Sequence, residues 1–173
     1  KGKKHKAKYE AETIIEIMLK GGAQMVFHGM AEDDVKNIMQ YPFNMIASDA
    51  GIRAYKQGVP HPRGYGTNAR VLGKYVRDEK VISLEEAIRR MTSLPAQKFQ
   101  LKDRGLLKEG MAADIVIFNE SEIKDLATFD DPHQYSKGFK YVLVNGKIVV
   151  ENDAHTGVRS GVPLLGPGID KNL

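Results

Sequence analysis

Two apolar runs with a short helical stretch between them constrain this chain more than any other feature. Gln24-Met25-Val26-Phe27-His28 and Phe43-Asn44-Met45-Ile46-Ala47-Ser48 both have the composition of strands. Between them Glu32, Asp33 and Asp34 crowd the first turn of a helix carrying Val35, Ile38 and Met39, the charge sign that complements a helix dipole, and Tyr41-Pro42 closes it. Connections this short around one helix predict a parallel βαβ unit with strands covered on both faces. A right-handed crossover then sets the strand ends at His28 and Asp49 side by side on one rim.

α/β proteins place ligand sites at that rim, where a rigid strand gives way to a loop. Asp49, in Ser48-Asp49-Ala50-Gly51, is therefore the first candidate for chemistry. Two readings of it stand on these residues alone: a functional carboxylate, or an Asp that starts a turn or caps a helix. His28 divides in the same way, between a secondary site residue and an imidazole satisfied by local backbone.

After Asp49, residues 50–67 carry Gly51, Gly58, Pro60, Pro62, Gly64 and Gly66, and a long irregular loop is expected. Within it His61-Pro62-Arg63-Gly64-Tyr65-Gly66-Thr67 gathers an imidazole, a guanidinium, a phenol and a hydroxyl on stiffened backbone. Arg63 suits a substrate carboxylate held at two points, or tacks the loop to the body.

The flanking segments read as scaffold. Ala11, Ile14, Ile15, Met18 and Leu19 repeat at helical spacing before Gly21-Gly22. Ala69, Val71, Leu72, Tyr75 and Val76 make a second amphipathic stripe. Ser83-Leu84-Glu85-Glu86 is a capping box opening a helix that buries Leu84, Ala87, Ile88 and Met91, and Pro95 starts a short helix reaching Phe99. From about Gly105 the character turns to β: a strand over 113–118, then a hairpin over 141–150 on the turn Asn145-Gly146, and an irregular tail from Gly157.

Charge and composition exclude several classes. The net charge of +4 comes from Lys1, Lys3, Lys4, Lys6 and Lys8; without them 21 basic residues face 22 acidic ones, so no folded basic face points to nucleic acid. The apolar runs are too short to span a bilayer, and no membrane partner is expected. No cysteine is present, which removes disulfide and thiol chemistry from these residues and is compatible with a cytoplasmic setting.

Several motifs together resemble one family. Met45-Ile46-Ala47-Ser48-Asp49, His61-Pro62-Arg63-x-Tyr65-Gly66-Thr67, Arg70-Val71-Leu72-Gly73-x-Tyr75-Val76-Arg77, Met91-Thr92-Ser93-Leu94-Pro95-Ala96 and Lys102-Asp103-Arg104-Gly105 resemble the C-terminal part of the D-aminoacylases, the N-acyl-D-amino-acid deacylases of the amidohydrolase superfamily. Pro132-His133-Gln134-Tyr135 belongs to the likeness, as do Gly110 to Val116 and Val142 to Gly146, which occur across the superfamily. The resemblance runs from about Tyr9 to Gly157.

It implies an α/β fold: the terminal βα units of a (β/α)8 barrel over 1–104, with an active-site loop at 50–67, then over 105–173 strands of a small β-sandwich and the tail. It implies a zinc-dependent hydrolase of N-acyl-D-amino acids, with Asp49 beside the metal as ligand and proton carrier; His61, Arg63, Tyr65 and Thr67 of the loop and His28 of the rim remain the candidate substrate-binding residues. Zinc needs three or four convergent ligands, yet no His-x-His is present and His5, His28, His61, His133 and His155 are scattered. The chain is therefore expected to be the last third of such an enzyme, inactive alone, its partner being the N-terminal portion or a second copy. The alternatives are a cyclic-amide hydrolase of the dihydroorotase or hydantoinase type, which the His61 to Thr67 stretch disfavours, and a non-catalytic association module.

Overall fold

The structure is a computed structural model, and it describes residues 9–23 and 29–167. The expected strand at 24–28, with His28, lies outside the described residues. The chain divides into two compact units, residues 1–30 and 31–173, so the boundary expected at 104/105 falls inside the second.

In the first unit, α1 (Glu10–Leu19) follows the expected periodicity, with Glu10 and Glu12 in its first turn, and closes on Gly21 and Gly22, both at positive φ. Its apolar residues Ile14, Ile15, Met18 and Leu19 are exposed.

The second unit opens with α2 (Glu32–Met39), whose last residue enters the core. A strand was expected next, and the structure differs: residues 43–48 carry no regular structure, and Phe43 is exposed rather than covered on both faces. Strand pairing needs a neighbour, and residues 43–48 have no ladder among the described residues; the Ile46 amide bonds the Arg90 carbonyl instead (3.3 Å). The parallel βαβ unit therefore does not appear among the described residues, whose one sheet is antiparallel.

The second departure is the helix that follows the loop. Regular structure begins at Arg63, inside the stretch expected to be irregular: α3 (Arg63–Arg70) runs directly into a π-helical segment, Val71–Asp78. Gly64 and Gly66 read as helix breakers in the sequence, yet here they permit close approach. A Cβ on Gly66 would sit 2.7 Å from the Cβ of Asp125, and one on Gly73 would sit 2.5 Å from the Ile123 carbonyl oxygen. Tertiary contact outweighs the modest helix penalty of glycine, about 1 kcal/mol.

Around this helix the core closes. Ala69, Val71, Leu72, Tyr75 and Val76 pack with Met39, Ala87 and Ile123, and Ile123 is wholly buried. Arg77 Nη1 donates to the Ile123 carbonyl (2.7 Å) and to that of Glu120 (3.1 Å), clasping the segment that Gly73 admits. Next, α4 (Leu84–Met91) starts as expected, with Ser83 Oγ accepting from the Glu86 amide (3.2 Å), and α5 (Ser93–Lys98) follows. Arg90 is buried at 2% exposure, its guanidinium held by Glu86 (2.7 Å) and the Met39 carbonyl.

The β region forms a meander: β1 (Ile115–Phe118), β2 (Phe139–Val144), β3 (Lys147–Glu151) and β4 (Ala154–His155), each antiparallel to the next. Asn145 and Gly146 both take positive φ, as the hairpin turn expected there requires. The superfamily motifs meet at this turn. Asn145 Oδ1 accepts from Arg104 Nη2 (2.8 Å), the Asn145 backbone N–H donates to Asp114 Oδ1 (2.7 Å), and Arg104 also pairs with Asp114. Those motifs build structure here, not chemistry.

Candidate functional site

The site forms where the backbone turns at Asp49 and meets the start of α3. Asp49 has φ +46, a left-handed conformation that Asp and Asn tolerate better than most residues. That turn brings its carbonyl and its carboxylate to the same guanidinium: Arg63 Nε donates to the Asp49 backbone oxygen (2.9 Å) and Nη2 pairs with Oδ2 (2.6 Å). Gly64 makes the approach possible, since a Cβ there would lie 3.3 Å from the Cβ of Ala50. The Asp49 side chain is 85% exposed, so the pair sits open to solvent.

Asp49 and Arg63 line a cleft of about 500 Å³ with Ser48, Ile52, Arg53, His61, Tyr65 and Tyr135. His61 Nδ1 accepts from the Arg63 amide (3.1 Å), one of the unpaired donors at the helix start, and its ring meets Phe129 edge-on. Desolvation there, and then the charge of Arg63, lower the His61 pKa, with Asp49 opposing. With Nδ1 accepting that bond, Nε2 is the ring's remaining polar atom.

Tyr65 and Thr67 stand on α3 rather than on a loop. The Thr67 hydroxyl donates to the Arg63 carbonyl (2.8 Å), so it is engaged within the helix. Tyr65 reaches away from the Asp49–Arg63 pair to His133, with its hydroxyl 3.0 Å from Nδ1. Desolvation first, then Tyr135 and Tyr55, raise the phenol's pKa against the pull of Arg53. The five candidates among the described residues thus divide: Asp49, Arg63 and His61 converge on the cleft, Tyr65 forms part of its wall, and Thr67 lines an adjoining cleft with Ser48, Arg63 and Tyr65.

Sequence reasoning missed Tyr135, which lines the cleft with Tyr65, and the rings behind it. Tyr65 meets Tyr135 and His133 edge-on, and Tyr55 stacks on Tyr135 at 5.0 Å. The signal was present in Pro132-His133-Gln134-Tyr135, a piece of the family likeness to which no role was given.

The chain matches the family model described as Amidohydrolase family over residues 9–150. The chain belongs to the amidohydrolase family. It is 40% identical over 137 residues to N-acyl-D-glutamate deacylase of Alcaligenes xylosoxydans xylosoxydans, a match covering 79% of this chain and 27% of the relative. Among solved structures it resembles the crystal structure of a D-aminoacylase (TM-score 0.71, 41% identity, 76% of this chain and 27% of that one). It also resembles N-acyl-D-glutamate deacylase from Bordetella bronchiseptica, solved with zinc and a phosphonate that mimics the tetrahedral intermediate of the reaction (TM-score 0.65, 45% identity, 69% of this chain and 25% of that one). The resemblance to the D-aminoacylase branch is borne out, and the chain spans about a quarter of the length of these relatives.

A zinc site does not fit the donors present. Among the described residues no three His, Cys, Asp or Glu side chains are grouped to hold a metal ion. Asp49 offers a carboxylate already paired with Arg63, and His133 has both ring nitrogens in hydrogen bonds. Among those residues no helix is long and apolar enough to cross a membrane.

Proposed function

We propose that this chain supplies the proton-carrying and substrate-orienting side of a zinc-dependent deacylase of N-acyl-D-amino acids. The observation that carries the reading is the Asp49–Arg63 pair at the mouth of a cleft, in a chain about 40% identical to such deacylases. Arg63 meets the Asp49 carboxylate at one point and the Asp49 backbone carbonyl at another, so its planar fork is presented at the cleft and suits a substrate carboxylate. A substrate carboxylate would compete with Asp49 for the guanidinium and release the Asp49 oxygens. The freed carboxylate takes a proton from the water that attacks the acyl carbon, and returns it to the amide nitrogen as the C–N bond breaks.

The zinc of the Bordetella relative would need its other ligands from outside the described residues, since Asp49 offers one carboxylate and no cluster accompanies it. We read residues 1–104 as terminal units of the barrel and 105–173 as the sandwich share and tail, completed by the N-terminal portion or by a second copy. The chain alone is then expected to self-associate and to bind zinc without stoichiometry; a monodisperse monomer holding one zinc ion by light scattering and metal assay would contradict this.

The test of function is stereochemical. Zinc-loaded enzyme carrying this chain is expected to hydrolyse N-acetyl-D-amino acids and to spare the L forms, and Arg63→Lys should raise KM about tenfold because an ammonium cannot replace the planar fork. Hydrolysis of dihydroorotate or hydantoin in place of the open-chain amide would replace the deacylase reading.

A further inference from the structure

The loop over residues 50–62 forms one edge of the cleft, and it is tied to a residue far along the chain. His133 lies on the long connection between β1 and β2. Its Nδ1 is 3.3 Å from the Lys56 amide nitrogen and 3.0 Å from the Tyr65 hydroxyl, and its Nε2 is 3.0 Å from the Gly58 carbonyl oxygen. The partners decide the proton positions. A backbone amide can only donate and a carbonyl can only accept, so Nδ1 is bare and Nε2 carries the hydrogen. Tyr65 must then donate its hydroxyl to Nδ1, which removes that hydrogen from the cleft. One imidazole thus reads the loop at two points, at Lys56 and Gly58, while holding the phenol that stands in the cleft wall between loop and α3. Tyr55 closes the same junction, edge-on to His133 and stacked on Tyr135.

We propose that His133 is a positioning residue that fastens the 50–62 loop to Tyr65 and so sets the width of the cleft that admits the acyl-amino-acid; this rests on the deacylase reading for its substrate. His133 touches no reacting atom in this account. It acts through Tyr65 and the loop backbone, and without it Tyr65 and the Lys56 amide both lose the ring nitrogen to which they donate.

The two ring nitrogens can be tested separately. In His133→Asn the side-chain oxygen stands near the place of Nδ1 and can accept from Lys56 and Tyr65 but cannot reach Gly58. In His133→Gln the amide nitrogen can reach Gly58 but leaves no acceptor for Lys56. Hydrogen exchange over 51–59, measured on the full chain, is expected to be about tenfold faster in His133→Phe at Lys56 and near the parent rate in the Asn variant, with Gln remaining fast. Nitrogen-15 spectra of the parent should report the Nε2–H tautomer. Exchange at the parent rate in the Phe and Gln variants, or an Nδ1–H tautomer, overturns the fastening. Should the Phe variant not fold, the Asn and Gln pair carries the same comparison. In the deacylase assay Phe and Gln should raise KM about fivefold with kcat within about twofold, and Asn should restore KM; unchanged KM overturns the positioning role. An inactive parent enzyme would defeat the deacylase reading alone, because exchange and tautomer still decide the fastening.

Discussion

The helical frame around Ile123 and the loop that ends at α3 are adjacent in sequence terms and are held by different physics. In the frame, Gly66, Gly73 and Gly138 bring backbones so close that a single Cβ would meet another atom at 2.5–2.7 Å, and buried apolar side chains fill what remains. In the loop, the fasteners are polar and directional: Arg63 on Asp49, His61 on the Arg63 amide, His133 on Lys56 and Gly58. Packing tolerates almost no change of volume, whereas exposed hydrogen bonds can break and re-form at little cost. The difference separates what must stay fixed from what must exchange partners when a substrate enters.

That contrast can be broken from either side. The largest effect is expected for Ile123→Ala, which empties a wholly buried position of the core cluster and should cost about 4 kcal/mol in chemical denaturation. Gly73→Ala comes next. Helix propensity favours alanine there by up to about 1 kcal/mol, but the new Cβ meets the Ile123 carbonyl, and a net loss of about 2 kcal/mol is expected; a more stable variant would show that segment 120–125 yields freely.

A third test concerns charge inside the frame. Arg89 first, and then Arg90, lower the Glu86 pKa from the ordinary 4.5 to about 2. A lowered carboxylate contributes stability that is fully present above pH 4.5 and is lost as pH falls toward 2. Denaturation midpoints should therefore drop across that window, and Glu86→Gln should flatten the drop; an unchanged pH profile in the variant would mean that Glu86 is not the group responsible. The smallest stability effect belongs to the site: Arg63→Ala should shift the midpoint by less than about 1 kcal/mol, since its ion pair is exposed.

The helices were legible where their signals were local. The acidic first turn of α2, the Ser83 cap and the Asn145-Gly146 turn each depend on residues a few positions apart, and each formed where expected. The segment over 43–48 was not, because β structure depends on a partner that composition does not name. Gly64 and Gly66 misled for a related reason: a glycine that frees the backbone and a glycine that admits a neighbour look alike until Ala50 and Asp125 are in place. In the site, Asp49, His61 and Arg63 could be read from their motifs and do converge, while His133 required knowledge that a connection more than seventy residues downstream folds back onto Lys56.

One substitution sets the two regions against each other most directly. Asp49→Asn keeps a side chain that accepts the left-handed turn and removes only a carboxylate whose pairing is open to solvent, so the denaturation midpoint should move by less than about 1 kcal/mol. Turnover of an N-acyl-D-amino acid by the zinc-loaded enzyme should fall about a hundredfold or more, with zinc content unchanged, because the proton carrier is gone. Turnover near the parent value in a folded, metal-replete Asn variant would contradict the account.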